Sequence, residues 1–224
     1  MRPLPTWLKW SLAVWMAAIL VIGWLMPIPK LPVLGETARN IYFHVPQAFT
    51  MIFMLVISFW NSYRFLKSGN LNDDLKAESA ASVGMLFGIT TIITGAIWAD
   101  FTWGVYWNWD PKQTLFLGLL LIYAAYFVLR LSVDDPHRKA KLSAGYNLFS
   151  FLVMPFLVFV IPRLLPGLHP GAPEDDGANN PVVSGIELSI RILLYSSFIG
   201  FGVLAYWLYN LRYRLARIAR HING

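Results

Sequence analysis

"SAASVGMLFGITTIITGAIWA", Ser79–Ala99, runs 21 residues without a charge between Glu78 and Asp100. A helix that crosses the hydrocarbon core of a bilayer needs about 20 mostly apolar residues. This stretch therefore has the length of one membrane span. Five more charge-free runs of similar size flank it: Trp10–Pro29, Asn40–Tyr63, Gln113–Leu129, Leu142–Pro162 and Ile192–Leu211. The remaining gaps between charges are much shorter. In lipid a single segment satisfies its own backbone hydrogen bonds only as a helix. The pattern predicts an all-α integral membrane protein, a six-transmembrane-helix bundle forming one domain over residues 1–224.

Composition agrees. Of 224 residues, 57% are hydrophobic and 13% charged, with a mean hydropathy of +0.53. A soluble domain carries roughly 25% charged residues, so this chain has too little polar surface to cover itself in water. Cysteine is absent, which excludes disulfides, thiolate metal sites and thiol chemistry by this chain. The first apolar run exceeds the usual signal-peptide core of about 7–15 residues and no A-x-A-like cleavage site follows it. It is expected to stay as an anchor.

Six spans put both termini on one side. That side would hold thirteen Lys and Arg residues, with clusters at Arg64–Lys76, Arg130–Lys141 and Arg212–Arg220; the other would hold five, Lys30, Arg39, Lys112, Arg163 and Arg191. Positive residues favour the cytoplasm, so both termini are expected inside. The net charge of +6 is then an orientation signal, with no nucleic-acid partner implied and the Arg-rich tail set to meet anionic lipid. Inside, the short turns around Asp73, Asp74, Lys76 and Glu78 and around Asp134–Arg138 read as solvated. Outside lie Pro27–Tyr42, the tryptophan-rich loop and a long loop over residues 163–188, rich in Pro and Gly. Gly84 and Gly88 form a G-x-x-x-G pattern, which permits close helix packing.

The outer loop "WGVYWNWDPKQT" (Trp103–Thr114) holds three tryptophans, a tyrosine and an aspartate in its first eight residues. Trp7, Trp10, Trp24, Trp60 and Trp207 read as an interfacial belt, but Trp103, Trp107 and Trp109 crowd one loop with Tyr106 and the nearby Trp98. On a helix, Trp103, Tyr106, Trp107 and Asp110 would share a face. Asp110-Pro111 also reads as a helix start, with Asp as N-cap, Pro at the first position and Gln113 as capping-box partner. His137 and His221 fall inside in polar surroundings; His44 and His169 fall outside, on the side of the aromatic loop. Neutral imidazole is a common ligand of haem iron, and a flat apolar surface suits a macrocycle. Together these residue types point to haem.

The loop resembles the tryptophan-rich signature W-G-x-x-W-x-W-D-x-[RK]-x-T of haem-handling proteins in cytochrome c biogenesis. "HVP" (His44–Pro46) and "LH" (Leu168–His169) resemble its two flanking histidine regions. Order, topology and length resemble the CcmC family over nearly the whole chain. Lys112 stands where many relatives would carry Arg, which keeps charge but loses bidentate pairing. Glu174, Asp175 and Asp176 match no family feature. The resemblance implies a non-enzymatic factor of the bacterial inner membrane that holds haem b, non-covalently and transiently, on the periplasmic side. It implies His44 and His169 as axial iron ligands. Trp103, Trp107 and Trp109 would form the platform, Gly104 would allow a tight approach, and Asp110 would fix the loop or meet a partner. It further implies transfer to the haem chaperone CcmE and cooperation with the transporter subunits CcmA and CcmB and with the small protein CcmD. No nucleotide motif is present, so ATPase activity would reside in a partner.

Three other functions are weighed. A haem–apocytochrome ligation factor of the CcsA or CcmF type shares the tryptophan motif but has more spans and histidines. A membrane electron carrier needs facing histidine pairs, and spans three to six have none. A transporter places ionisable groups near the midplane, and neither an interrupted span nor an inverted repeat calls for one.

Overall fold

A computed structural model describes residues 1–27, 35–169, 172 and 187–223. The acidic stretch Glu174–Asp176 and most of the loop over residues 163–188 lie outside the described residues. Six long helices are present: α1 Thr6–Leu25, α2 Ile41–Ser68, α3 Leu71–Trp103, α4 Pro111–Leu131, α5 Pro136–Pro155 and α6 Leu188–Asn223. Each expected span falls on one of them, and all six are long and apolar enough to cross a membrane. The chain is a multi-pass membrane protein.

Helix ends differ from the ends of the charge-free runs because charge stops an apolar run without stopping a helix. α1 begins at Thr6, before Lys9, and finishes at Leu25 rather than Pro29. Met26 precedes Pro27 and is extended (φ −68°, ψ 133°), as the clash with a following proline ring demands. α6 runs 36 residues, about 54 Å at 1.5 Å per residue, well past Leu211. The fifth span is not one regular helix. Pro155 has no N–H to continue the ladder, and the chain widens into a π-turn over Phe156–Val160, then tightens into a 3-10 turn at Ile161–Arg163.

α2 and α3 are the most intimately paired helices. Gly69 ends α2 in the left-handed conformation (φ 66°), and the Asn70 side chain accepts from Asn72 N to start α3. Between the helices the G-x-x-x-G pattern acts as expected. A Cβ at Gly88 would lie 2.5 Å from Leu120 and 2.9 Å from Met51; one at Gly84 would lie 3.1 Å from Leu55. The core gathers Met51, Leu55, Phe87, Leu119, Tyr123, Tyr126, Met154 and Phe201 from α2 to α6. α1 packs outside it through Ile19, beside Tyr42 and Leu194.

Lipid is as apolar as leucine, so packing and polar contacts must hold helices together. Asn147 donates to Ser58 (2.7 Å) and Ser62 (2.8 Å), and Ser58 donates to the Ala77 carbonyl (2.8 Å), tying α5 to α2 and α2 to α3. Trp7, Trp10, Trp24 and Trp60 are exposed on the bundle surface, as a belt requires. Trp207 is instead half-buried.

One turn departs from expectation. Asp73 and Asp74 are buried, since the helix of α3 starts before them and carries them against other elements. Arg130 of α4 grips Asp74 with two hydrogen bonds (2.7 and 2.9 Å) and Glu78 with one (3.0 Å). Asp73 pairs with Lys76 at 2.9 Å. The second turn, Asp134–Arg138, is exposed as expected. The N-terminal segment joins this same end, where Asn210 of α6 donates to the Arg2 carbonyl. The tryptophan loop lies at the opposite end.

Removing one partner from a buried bidentate pair leaves an uncompensated charge. Arg130→Ala should lower stability by about 3–5 kcal/mol, whereas Arg130→Leu with Asp74→Leu should recover most of the loss. Thermal unfolding in detergent checks this.

Candidate functional site

The site grows from the end of α3. Trp103 is its last residue, and Gly104 caps it in the left-handed conformation (φ 76°), donating to the Asp100 carbonyl. Nothing lies within 4 Å of a Cβ built on Gly104. Within the protein the glycine is needed for its backbone angle, since no neighbouring residue approaches it closely. The helix stops there, so Trp103, Tyr106, Trp107 and Asp110 do not form the helical face expected of them. The chain turns through residues 104–106 and reaches Trp109, the one non-glycine residue with positive φ (60°) among those described. A bulky side chain in that region costs roughly 1–3 kcal/mol and marks a constrained loop.

The constraint is Asp110. It caps α4 as expected: its Oδ1 accepts from Lys112 N at 2.8 Å, with Pro111 in the first helical turn. The capping box is not formed as expected. Gln113 Oε1 accepts from Asn108 N (3.4 Å), while Asp110 N donates to Asn108 Oδ1 (3.1 Å). The carboxylate also reaches across to the last outer loop. Its Oδ1 accepts from His169 Nδ1 at 2.7 Å and its Oδ2 from Leu168 N at 2.7 Å. Gly167 permits this approach, since a Cβ there would sit 2.7 Å from Asp110 Oδ2.

Asp110 is only 5% exposed. Burial pushes its pKa up, but His169 and the two backbone N–H groups outweigh that and hold the carboxyl well below the usual carboxylate range. The group is ionised at neutral pH. Because the folded pKa is depressed, its contribution to stability is complete above the unfolded value of about 3.9 and is lost as pH falls further.

His169 thus donates through Nδ1, and in its neutral form the lone pair sits on Nε2. Its ring meets the Trp103 edge at 4.9 Å between centroids, interplanar angle 69°. His44, in the first turns of α2, has Nδ1 3.1 Å from Thr94 Oγ1. Thr94 uses its own hydroxyl hydrogen on the Thr90 carbonyl (2.9 Å). The Thr91 carbonyl lies 3.2 Å from the same hydroxyl; with the hydroxyl oxygen as acceptor, His44 donates through Nδ1 and keeps the lone pair on Nε2. Trp98 packs its edge against the His44 ring at 5.7 Å and donates to Thr37 (3.1 Å). His44, His169 and Lys112 lie close enough to interact electrostatically. Trp107 and Trp109 stand perpendicular at 5.9 Å. Trp109 is 73% exposed, beside other exposed apolar groups of this end such as Tyr106, Phe101 and Leu168.

The structure brings Asp110, Trp103 and His169 together, seats His44 against Thr94 and Trp98 and sets Trp107 beside Trp109; Thr94, Gly95, Gly167 and Asn108 support these groups without having been expected to. Thr94 and Gly95 are revealed only by their contacts with His44 on another helix; Gly167 is marked by the Pro-Gly of "LPGLH", which signals a turn, and Asn108 acts locally on Asp110 and Gln113. Chemically, each imidazole has its Nδ1 beside an oxygen of the protein, 3.1 Å away for His44 and 2.7 Å for His169, as metal-ligating histidines commonly do. Among the described residues no group of three or more His, Cys, Asp or Glu side chains is placed to hold a bare ion. Two nitrogens suit a metal whose other positions are filled by a ligand of its own.

A family model described as "CcmC: Heme exporter protein C" matches residues 1–223. The chain is 33% identical over 138 residues to Heme exporter protein C of Paracoccus denitrificans, 62% of this chain and 57% of the relative. It is 37% identical over 109 residues to that of Rhodobacter capsulatus, 49% of this chain and 45% of the relative. A more distant match is Cytochrome c biogenesis protein CcsA of Synechococcus sp. strain CC9902, 44% identical over 86 residues, 38% of this chain and 28% of the relative. The chain spans about half the length of the Heme exporter C relatives it matches.

Asp110→Asn tests the clasp. An amide offers one acceptor oxygen where three N–H groups converge, and its NH2 would face another donor. The variant should lose about 1.5–3 kcal/mol, the range for a hydrogen bond to a charged group. Its stability should also lack the share of the acid-dependent loss below about pH 4 that Asp110 contributes in the parent. Thermal unfolding at a series of pH values reads both effects.

Proposed function

The chain belongs to the heme exporter protein C family of cytochrome c biogenesis, and on that premise we propose that it binds haem as cargo and presents it for transfer to the haem chaperone CcmE. His44 and His169 are the axial ligands, each through Nε2. Trp103 braces the His169 ring, and the half-buried Trp107 and the exposed Trp109 offer an aromatic surface to the macrocycle. Asp110 joins the tryptophan loop to the segment that carries His169. The observation that supports the reading best is the shared state of the two histidines: in both, Nδ1 is engaged by a fixed acceptor, so Nε2 faces the task of ligation.

Haem here is cargo and not a resident group, and the donor set fits that. Two imidazoles hold iron without covalent capture, so the cargo can leave. With no cysteine, this chain cannot form thioether links itself. The orientation that fits is the one the positive residues favour, with both termini in the cytoplasm of a bacterial inner membrane and the tryptophan loop at the periplasmic face. CcmA, CcmB and CcmD are the expected companions, and any ATP hydrolysis belongs to them. The match to Cytochrome c biogenesis protein CcsA favours a second reading, a haem–apocytochrome ligation factor.

Protein purified from haem-replete cells in mild detergent should show a bis-histidine absorption spectrum and a positive pyridine haemochrome test. His44→Ala with His169→Ala should lose both while remaining inserted in the membrane. Haem retained at parental occupancy by the double variant would remove the ligand assignment.

A further inference from the structure

The two histidines are anchored unequally. His169 donates to an ionised carboxylate at 2.7 Å. His44 Nδ1 faces a neutral hydroxyl at 3.1 Å, whose own hydrogen has the Thr90 and Thr91 carbonyls of α3 within reach. A charge-assisted hydrogen bond is shorter and about twice as strong as a neutral one. It also raises the basicity of the ligating nitrogen. His169 is therefore the stronger donor of the pair.

The His44 ring also sits in a slot cut by α3. Thr94 holds Nδ1, Trp98 closes one side with its edge, and Gly95 supplies the space between. A Cβ at Gly95 would lie 2.7 Å from His44 Cε1 and 3.3 Å from Nδ1. The clash is with a ring whose position is fixed by the hydrogen bond next to it. Any side chain at 95 must push the imidazole off Thr94 or turn its Nε2 away from the site. No feature of the ligand assignment itself requires this threonine and glycine.

Resting on the reading that both histidines ligate haem, we propose that Thr94 and Gly95 are positioning residues for His44, and that the neutral anchor makes His44 the exchangeable ligand, the one that yields first when haem leaves. His169, held by Asp110, stays on the iron until last. Release then has a direction: the face on the α2–α3 side opens first, while the tryptophan-loop side keeps hold. The step is a ligand exchange, in which the Nε2 lone pair of His44 leaves iron and an incoming donor takes its place. No electron or covalent bond is transferred.

Carbon monoxide is the probe, added to the reduced, haem-loaded full chain in detergent, with absorption and resonance Raman as readouts. The carbonyl complex of the parent should match that of His44→Ala, with His169 opposite the carbon monoxide, and should differ from that of His169→Ala. Thr94→Val and Gly95→Ala should keep haem, shift it toward five-coordinate high-spin, and bind carbon monoxide roughly 10-fold or more faster, the size expected for losing an outer-shell partner. Thr94→Ser should restore parental behaviour, which a merely structural role for the residue would not need. A parental carbonyl complex matching His169→Ala would overturn the order of release. Parental spectra and rates in both Thr94→Val and Gly95→Ala, with His44→Ala altered, would overturn the positioning role alone. An unaltered spectrum in His44→Ala itself would instead remove the ligand reading, and this inference with it.

Discussion

A carboxylate buried at a helix start must have its lone pairs filled, and Asp110 fills them from two parts of the chain. Lys112 N comes from its own helix; Leu168 N and His169 Nδ1 come from the last outer loop, 58 and 59 residues away. Ordinary N-capping uses one such bond. Here the cap is also a clasp. It fixes the tautomer of His169, seats its ring against Trp103 and ties the tryptophan loop to the loop after α5. Gly167 lies where a side chain would collide with the carboxylate. The strained backbone of Trp109 follows from the same demand, because the loop between two fixed helix ends must still bring Asp110 into place.

The bundle beneath serves this geometry by being rigid where it matters. α2 and α3 form a tight hairpin, with glycines of α3 accepting Leu55, Met51 and Leu120 at close range. That pairing sets His44 of α2 level with Thr94, Gly95 and Trp98 of α3. At the far end Arg130 locks α4 to α3 through Asp74 and Glu78. The two ends thus use opposite versions of one physical rule. A buried charge needs partners, and in one place they fasten helices, in the other they orient a chemical group.

Much of this was legible from residues alone. Span number followed from charge-free runs, because lipid length and backbone satisfaction admit few alternatives. The Asp-Pro start of α4 followed from local capping chemistry. Helix ends were less legible, since Lys9, Asp73, Asp74 and the arginines after Leu211 sit within helices. The aromatic face expected over Trp103–Asp110 failed because Gly104 stops α3 with a left-handed residue, and a helical pattern read across a glycine carries that risk. Asp73 and Asp74 read as solvated because nothing near them in sequence announces Arg130, more than fifty residues on. The same distance hides Thr94 and Gly95. Their importance lies in the register of α3 against α2, and one sequence does not print a register.

The claim on which the site rests is that both imidazoles carry their proton on Nδ1 and keep Nε2 free. Nitrogen-15 NMR of the haem-free protein, with labelled histidine and the single-histidine variants for assignment, measures this directly at neutral pH. Neutral His44 and His169 should both show the Nδ1–H pattern, while His137 and His221, exposed to solvent, report an unconstrained mixture. An Nε2–H tautomer at either site histidine would contradict the hydrogen bonds to Thr94 and Asp110, and with them the arrangement of both as ligands.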